Sequence, residues 1–357
     1  MIRLIGFEFG KIVKRRVVLA SLAVLVILGL MLYMGNGPQG VNCRLPDGEY
    51  IGGGEAVAYE KKVAAEYEGV LTEEKAQRIL EQYAPEAPDG GVWTVNSTYN
   101  TIQSWFGKRD GSYNGLTVEE AFPDYEGEEP LILGYADGYA GFLFTGMYLM
   151  MAVGVVLVIA LSPVFSQEYA SGTDALILAS RHGKRRCGRA KVLAAYLFTL
   201  LVTGSCFLVM ILIFLAGFGL TGGGSSIQLN NRDLLRSLSY SMTCLEAAGT
   251  CLVLWLAGAL ILTAVILVLS ALCRTSFVTL IAALALYILP MLGSALHIPR
   301  RVMSLAPFWC FLSEWTLEIP KIGGRISWVC VPMLLGVVLV PLTLYLGSRI
   351  FARHQAA

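Results

Sequence analysis

The chain has 357 residues, of which 55% are hydrophobic and only 15% charged, with a mean hydropathy of +0.63 and a formal net charge of +1. Soluble domains carry about 25% charged residues, so this composition excludes an ordinary soluble enzyme or a nucleic-acid-binding protein and indicates a polytopic membrane protein. Eight cysteines are scattered, Cys43 alone lying in the large polar segment, so no disulfide closes within that segment and no Cys/His grouping reads as a metal site.

Residues 1–16 predict an amphipathic helix. Ile2, Ile5, Phe9 and Ile12 fall on one face, with Lys11, Lys14 and Arg15 largely opposite, as in a helix lying on an anionic membrane surface. Residues 17–34 are an apolar run long enough to cross a hydrocarbon core of roughly 30 Å. The run is too long for a signal-peptide core and no A-x-A site follows it, so it reads as a retained first span.

Residues 35–138 form a polar insert with 19 acidic and 7 basic residues, while the rest of the chain holds 7 acidic and 20 basic. That partition places the insert outside the cell by the positive-inside rule. Residues 56–68 and 73–83 read as helices, the second with Thr72 as N-cap and Glu73 and Glu74 favourable in its first turn. Residues 92–106 are compatible with strand or helix, and Asn96-Ser97-Thr98 fits a glycosylation sequon. With few large aliphatics, the insert supports a small core.

Residues 139–161 are the second span. Residues 162–191 then form a cytoplasmic loop, with an apolar helical stripe of Phe165, Tyr169, Leu176 and Ile177 followed by Arg181, Lys184, Arg185, Arg186, Arg189 and Lys191. Residues 192–220, 242–272, 277–296 and 326–346 are spans three to six, with a short turn at Cys273-Arg274-Thr275. Residues 298–325 are an amphiphilic outer segment containing Phe308, Trp309, Phe311 and Trp315. Cys206, Cys251 and Cys330 fall in apolar runs as small packing residues. Six spans put both termini in the cytoplasm, and the short loops agree: 14 basic residues inside against 6 outside.

Four features carry the functional reading. The loop 162–191 is either a docking lever for a partner, with Glu168 and Arg181 pairing with partner charges, or a basic loop held at anionic lipid. Glu246 is an acid within a span, marking either a translocation path or a side chain that reaches water at the span's end. Trp309 and Trp315 belong either to an interfacial aromatic belt or to a re-entrant outer gate. No GxxxxGK[ST] occurs, so the chain supplies no ATPase, and no catalytic triad, HExxH or paired acid suggests an enzyme.

The order Glu168-x3-Gly172-Thr173-x2-Leu176, then Ser180-Arg181, then Lys191 heading a new span, resembles the first cytoplasmic loop of ABC-2 type transporter permeases. The resemblance implies an all-α membrane protein: six transmembrane helices, an N-terminal amphipathic elbow helix, and an extracytoplasmic α or α+β insert between helices 1 and 2. It implies a coupling helix that seats on a separate ATPase, formed by Phe165, Glu168, Tyr169, Gly172, Thr173, Leu176, Ser180 and Arg181. It also implies short helices between the fifth and sixth spans, export by alternating access, and a bacterial plasma membrane. The expected partners are a cytoplasmic ABC ATPase dimer, which carries ATP and Mg, and a second permease as homo- or heterodimer. No cofactor belongs to this chain. The alternatives are a membrane-anchored sensor or assembly factor that binds a ligand through 35–138, or a transporter driven by an ion gradient.

Overall fold

The computed structural model describes residues 1–45, 48–83, 95–172, 186–232, 234–293, 295–320, 322 and 327–353. Among them, six helices are long and apolar enough to cross a membrane: Arg16–Asn36, Asp137–Ala170, Gly188–Phe218, Cys244–Leu272, Ser276–Gly293 and Cys330–Phe351. They form where apolar runs predict them, because in lipid a lone segment satisfies its backbone only as a helix.

Three boundaries differ from the sequence reading. The third span begins at Gly188 rather than 192, which puts Lys191 in its first turn. The fifth is α-helical only over Ser276–Ile288 and tightens to a 3-10 turn over Leu289–Gly293. Pro290 lies in that turn, and a proline has no amide to continue an α-helix. The sixth runs Cys330–Arg353, through Pro341, rather than 326–346.

The chain divides into two compact units. One comprises Met1–Gly29, Met147–Leu208 and Leu252–Ala357; the other comprises Leu30–Gly146 and Val209–Cys251.

The second unit holds the polar insert, which is an α+β arrangement. Strands Asn42–Arg44 and Tyr50–Gly52 pair antiparallel, as do Gly69–Val70 and Ile132–Leu133. Helices Gly53–Glu66, Glu73–Tyr83 and Ser97–Phe106 pack around them. Thr72 caps the second of these by accepting from the Lys75 amide. The ambiguous stretch is helical from Ser97, started by Asn96 Oδ1 accepting from the Tyr99 amide at 2.7 Å. Asn96 is only 1% exposed, so in the folded chain its amide nitrogen is closed to a glycosylating enzyme, and its Oδ1 is held in the cap.

The core includes Tyr67, Leu71, Ile79, Leu80, Tyr99, Ile102, Phe106, Phe122 and Leu133. Leu229, from the connection between the third and fourth spans, completes it. That connection is fixed by Ser226, whose amide donates to Ile132 O at 2.9 Å and whose hydroxyl accepts from Ile132 N at 2.8 Å. Gly222, at φ +80°, sits so close to the Tyr135 carbonyl that a Cβ would overlap it.

Glu60 is buried in this unit and accepts from the Ser97 amide at 3.1 and 2.9 Å and from the Ser97 hydroxyl. Burial, then the charge of Asp137, pushes its carboxyl up to about 8, against the opposing Ser97 hydrogen bonds. The folded chain therefore holds a proton that the unfolded chain has released between about 4.5 and about 8. Stability from this group is complete below the unfolded value and is lost as pH rises through the folded one. Thermal unfolding across that window should show the decline, and Glu60→Gln should flatten it.

In the first unit, the N-terminal helix Ile2–Val13 buries Glu8 and Ile12 and leaves Ile2 85% exposed. Of the expected apolar face, Ile5, Phe9 and Ile12 are half-buried or buried, with the Phe9 ring 6.5 Å from Phe198, and Glu8 joins them in place of Ile2. The second span breaks at Pro163 and continues as a short helix, Pro163–Ala170. Amides at its start need acceptors; those of Phe165 and Ser166 donate to Ser270 Oγ of the fourth span, at 3.0 and 3.3 Å. Ser270 in turn donates to Ser162 O at 2.7 Å.

Between the fifth and sixth spans lie three short helices, Arg300–Met303, Pro307–Phe311 and Ser313–Leu317. The Trp255 indole donates to Phe311 O at 3.0 Å. Trp255 lies well inside the Cys244–Leu272 helix, roughly 16 Å along from its first residue at 1.5 Å per residue. Gly258, one turn further, lies against Cys310 and Phe311. The segment thus packs midway along the fourth span's helix. Of the cysteines expected to pack, Cys251 is buried, Cys206 half-buried and Cys330 exposed.

Candidate functional site

The Pro163–Ala170 helix is the hub of the first unit. Phe165 is fully buried, its ring 5.4 Å from Phe351 of the sixth span. Tyr169 stacks on the same ring at 6.0 Å and donates to Ala271 O of the fourth span. Ser166 Oγ reaches Ser276 Oγ, at the start of the fifth span, at 3.2 Å.

The polar face of this helix carries Glu168, and here the structure gathers an ion cluster. Lys191, 2% exposed, lies 2.5 Å from Glu168 Oε1 and 2.8 Å from Glu8 Oε2. Lys11 Nζ lies 3.3 Å from Glu8 and 3.5 Å from Glu168. Arg15 donates to Gln167 Oε1 at 2.7 Å and to Ala160 O at 3.1 Å. A buried charge is tolerated only when paired, and each carboxylate here meets two ammonium groups. The N-terminal helix, the second span's end and the third span's start are thereby tied at one point. The Pro163–Ala170 helix thus touches five other elements: the N-terminal helix and the third, fourth, fifth and sixth spans.

Of the predicted coupling residues, Phe165, Glu168 and Tyr169 come together here, and all three engage their own chain. Glu168, expected to pair with a partner, is already paired with Lys191 and Lys11. Gly172 is exposed just beyond the helix at φ +66°, a backbone conformation that favours glycine. Thr173, Leu176, Ser180 and Arg181 lie outside the described residues.

Glu246 is exposed in the first turn of the fourth span. Its carboxylate accepts from the Thr243 amide at 2.9 Å, and its own amide donates to Thr243 Oγ1 at 3.3 Å. This reciprocal capping box gives it a helix-starting role. Glu246→Ala should lower stability by about 0.5–1 kcal/mol in thermal unfolding, and Glu246→Gln, which keeps an acceptor, by less. Trp309 is buried and donates to Pro290 O at 2.9 Å. Trp315 lies 5.0 Å from it, with the Arg300 guanidinium 4.6 Å over its ring.

Sequence reasoning missed Glu8, Lys191 as a buried residue, and Ser270. The available signal for Glu8 was an acid spaced three from Ile5 and four from Ile12, on the inward face. Lys191 read as the last charge of a loop because the third span was started one turn too late.

Residues 2–299 match the family model described as ABC-2 family transporter protein. No curated protein and no solved structure matches the chain.

Proposed function

The chain belongs to the ABC-2 family of transporter proteins, and on that premise we propose that it is the membrane-spanning permease subunit of an ATP-driven transporter. Proteins of this family work with an ABC ATPase and the lipid bilayer. In this reading the ATPase is a separate cytoplasmic dimer that engages the loop 162–191. ATP and Mg belong to that partner. Both termini are cytoplasmic, residues 35–138 are extracytoplasmic, and Ile2–Val13 is the elbow helix. A second permease, identical or related, completes the pathway. Transport is outward, with the re-entrant segment around Trp309 and Trp315 as its outer gate.

One observation carries the coupling role: the Pro163–Ala170 helix is bonded to the fourth, fifth and sixth spans and, through Glu168, to Lys191 and Glu8. Such a base passes displacement into the bundle instead of absorbing it. In this reading contact with the ATPase is made by the stretch that begins at Gly172, and Phe165 and Glu168 act as positioning residues. The test is co-purification of the tagged chain with a P-loop ATPase from its native host. Deleting residues 172–185 should abolish capture while the chain remains folded; a chain that never captures such a protein overturns the reading.

A second reading, a sensor acting through residues 35–138, has one feature in its favour. A groove of about 590 Å³ in the second unit is lined by Trp105, Phe122, Tyr125 and Arg236. Partner binding that survives the same deletion and is lost with Trp105→Ala supports that alternative.

A further inference from the structure

The ion cluster borders a cavity of about 420 Å³ whose wall includes Lys11, Arg15, Gln167, Ser171 and Lys191. Among the described residues its charges do not balance. Three cations, Lys11, Arg15 and Lys191, face two carboxylates, Glu8 and Glu168. Both ammonium groups are ion-paired. Arg15 is the surplus: among the described residues its guanidinium donates hydrogen bonds to neutral acceptors, the Gln167 amide oxygen and the Ala160 carbonyl, and feels Glu8 and Glu168 only through space. A half-buried guanidinium held by two neutral oxygens retains donors suited to the fork geometry of a phosphate or carboxylate.

The cavity's place in the chain identifies the anion's source. Arg15 immediately precedes the first span, Pro163 and Val164 end the second, and Lys191 opens the third. In consecutive crossings, these three ends lie at one membrane boundary. The amphipathic helix Ile2–Val13, which runs into Arg15, is suited to the same layer. Anions at that depth are lipid phosphates, and basic pockets between spans are where such headgroups bind.

We propose that this cavity is a binding site for the phosphate of an anionic phospholipid, with Arg15 as its principal ligand and Lys11 and Ser171 at its rim. The assignment rests on the membrane-spanning fold and is independent of which protein, if any, engages the loop 162–191. A headgroup there abuts the hub helix, so lipid occupancy stabilises the same base that holds Glu168.

The test is native mass spectrometry of the full chain in mild detergent, titrated with palmitoyl-oleoyl phosphatidylglycerol or phosphatidylcholine. The wild type should retain phosphatidylglycerol roughly fivefold or more over phosphatidylcholine, and Arg15→Gln should remove most of that preference. Lys14→Gln, which changes an exposed lysine next to Arg15 in the chain but outside the cavity lining, should leave it nearly intact. Equal retention of the two lipids by the wild type overturns the proposal, and this comparison stands even where Arg15→Gln does not survive extraction. Equal loss in the Lys14 and Arg15 variants also overturns it, because the effect is then diffuse surface charge. Displacement of phosphatidylglycerol by inorganic phosphate at a concentration comparable to that of the lipid assigns the site to free phosphate and overturns the lipid source.

Discussion

Lys191→Met is expected to destabilise the chain by about 3–5 kcal/mol, the usual cost of leaving buried carboxylates uncompensated. Lys191 is the one member of the cluster that is almost fully enclosed, and it touches both Glu8 and Glu168. Lys11 approaches both acids too, but at 3.3 and 3.5 Å with its side chain 41% exposed, so water screens it and it compensates weakly. The loss should therefore sit towards the lower end of the range, and it should appear as a lower thermal midpoint in detergent. Its signature is a reversal of sign. Glu168→Gln should destabilise the wild type, where it strands a lysine charge, and partly rescue Lys191→Met, where it removes an unpaired acid. A loss in Lys191→Met near zero, typical of exposed ion pairs, would mean that the cluster is solvated.

The second large effect is expected at Phe165. Its ring is fully buried against Phe351 and close to Gly347, so Phe165→Ala opens a cavity between the hub helix and the sixth span. Truncations of this kind cost about 3–5 kcal/mol. Phe165→Leu fills much of the space and should cost less. Under the proposed coupling, the Leu variant has a further consequence: the partner still hydrolyses ATP, while transport per ATP falls because the base yields. Thermal unfolding gives the first effect, and the ratio of transport to hydrolysis in proteoliposomes gives the second. An unchanged ratio in a stably folded Phe165→Leu variant removes Phe165 from the coupling argument.

The spans were legible because about 20 apolar residues in a row leave the backbone one solution in lipid. Their ends were less so. Pro290 shortens the fifth helix, and a hydropathy run does not register a missing amide. The helix at Ser97–Phe106 was undecidable by periodicity and was settled by the Asn96 cap and by burial of Tyr99, Ile102 and Phe106. The aromatic segment near Trp309 fits two environments equally by sequence, because the contact that seats it, the Trp255 indole on Phe311 O, joins residues 56 positions apart.

The candidate site was half legible. Glu168 stood out by its place in a known order of residues. Its partners did not, because Lys191 is 23 positions away and Glu8 is 183 positions from Lys191. A charge pair between distant segments leaves no mark on local pattern. The apolar stripe that includes Phe165 and Tyr169 reads from the sequence as a face for a partner's groove or for lipid, and in the structure both rings lie on Phe351 of the chain's own sixth span.

Under the proposed function, the stretch following the hub helix is held by a nucleotide-driven partner. Arg186 is exposed at the far end of that stretch, and a photo-crosslinker placed there tests the claim in intact cells. The account predicts an adduct with a cytoplasmic P-loop ATPase whose yield changes when nucleotide is trapped. An adduct pattern without any nucleotide-binding protein, or access to position 186 from the cell exterior by an impermeant reagent, would contradict it.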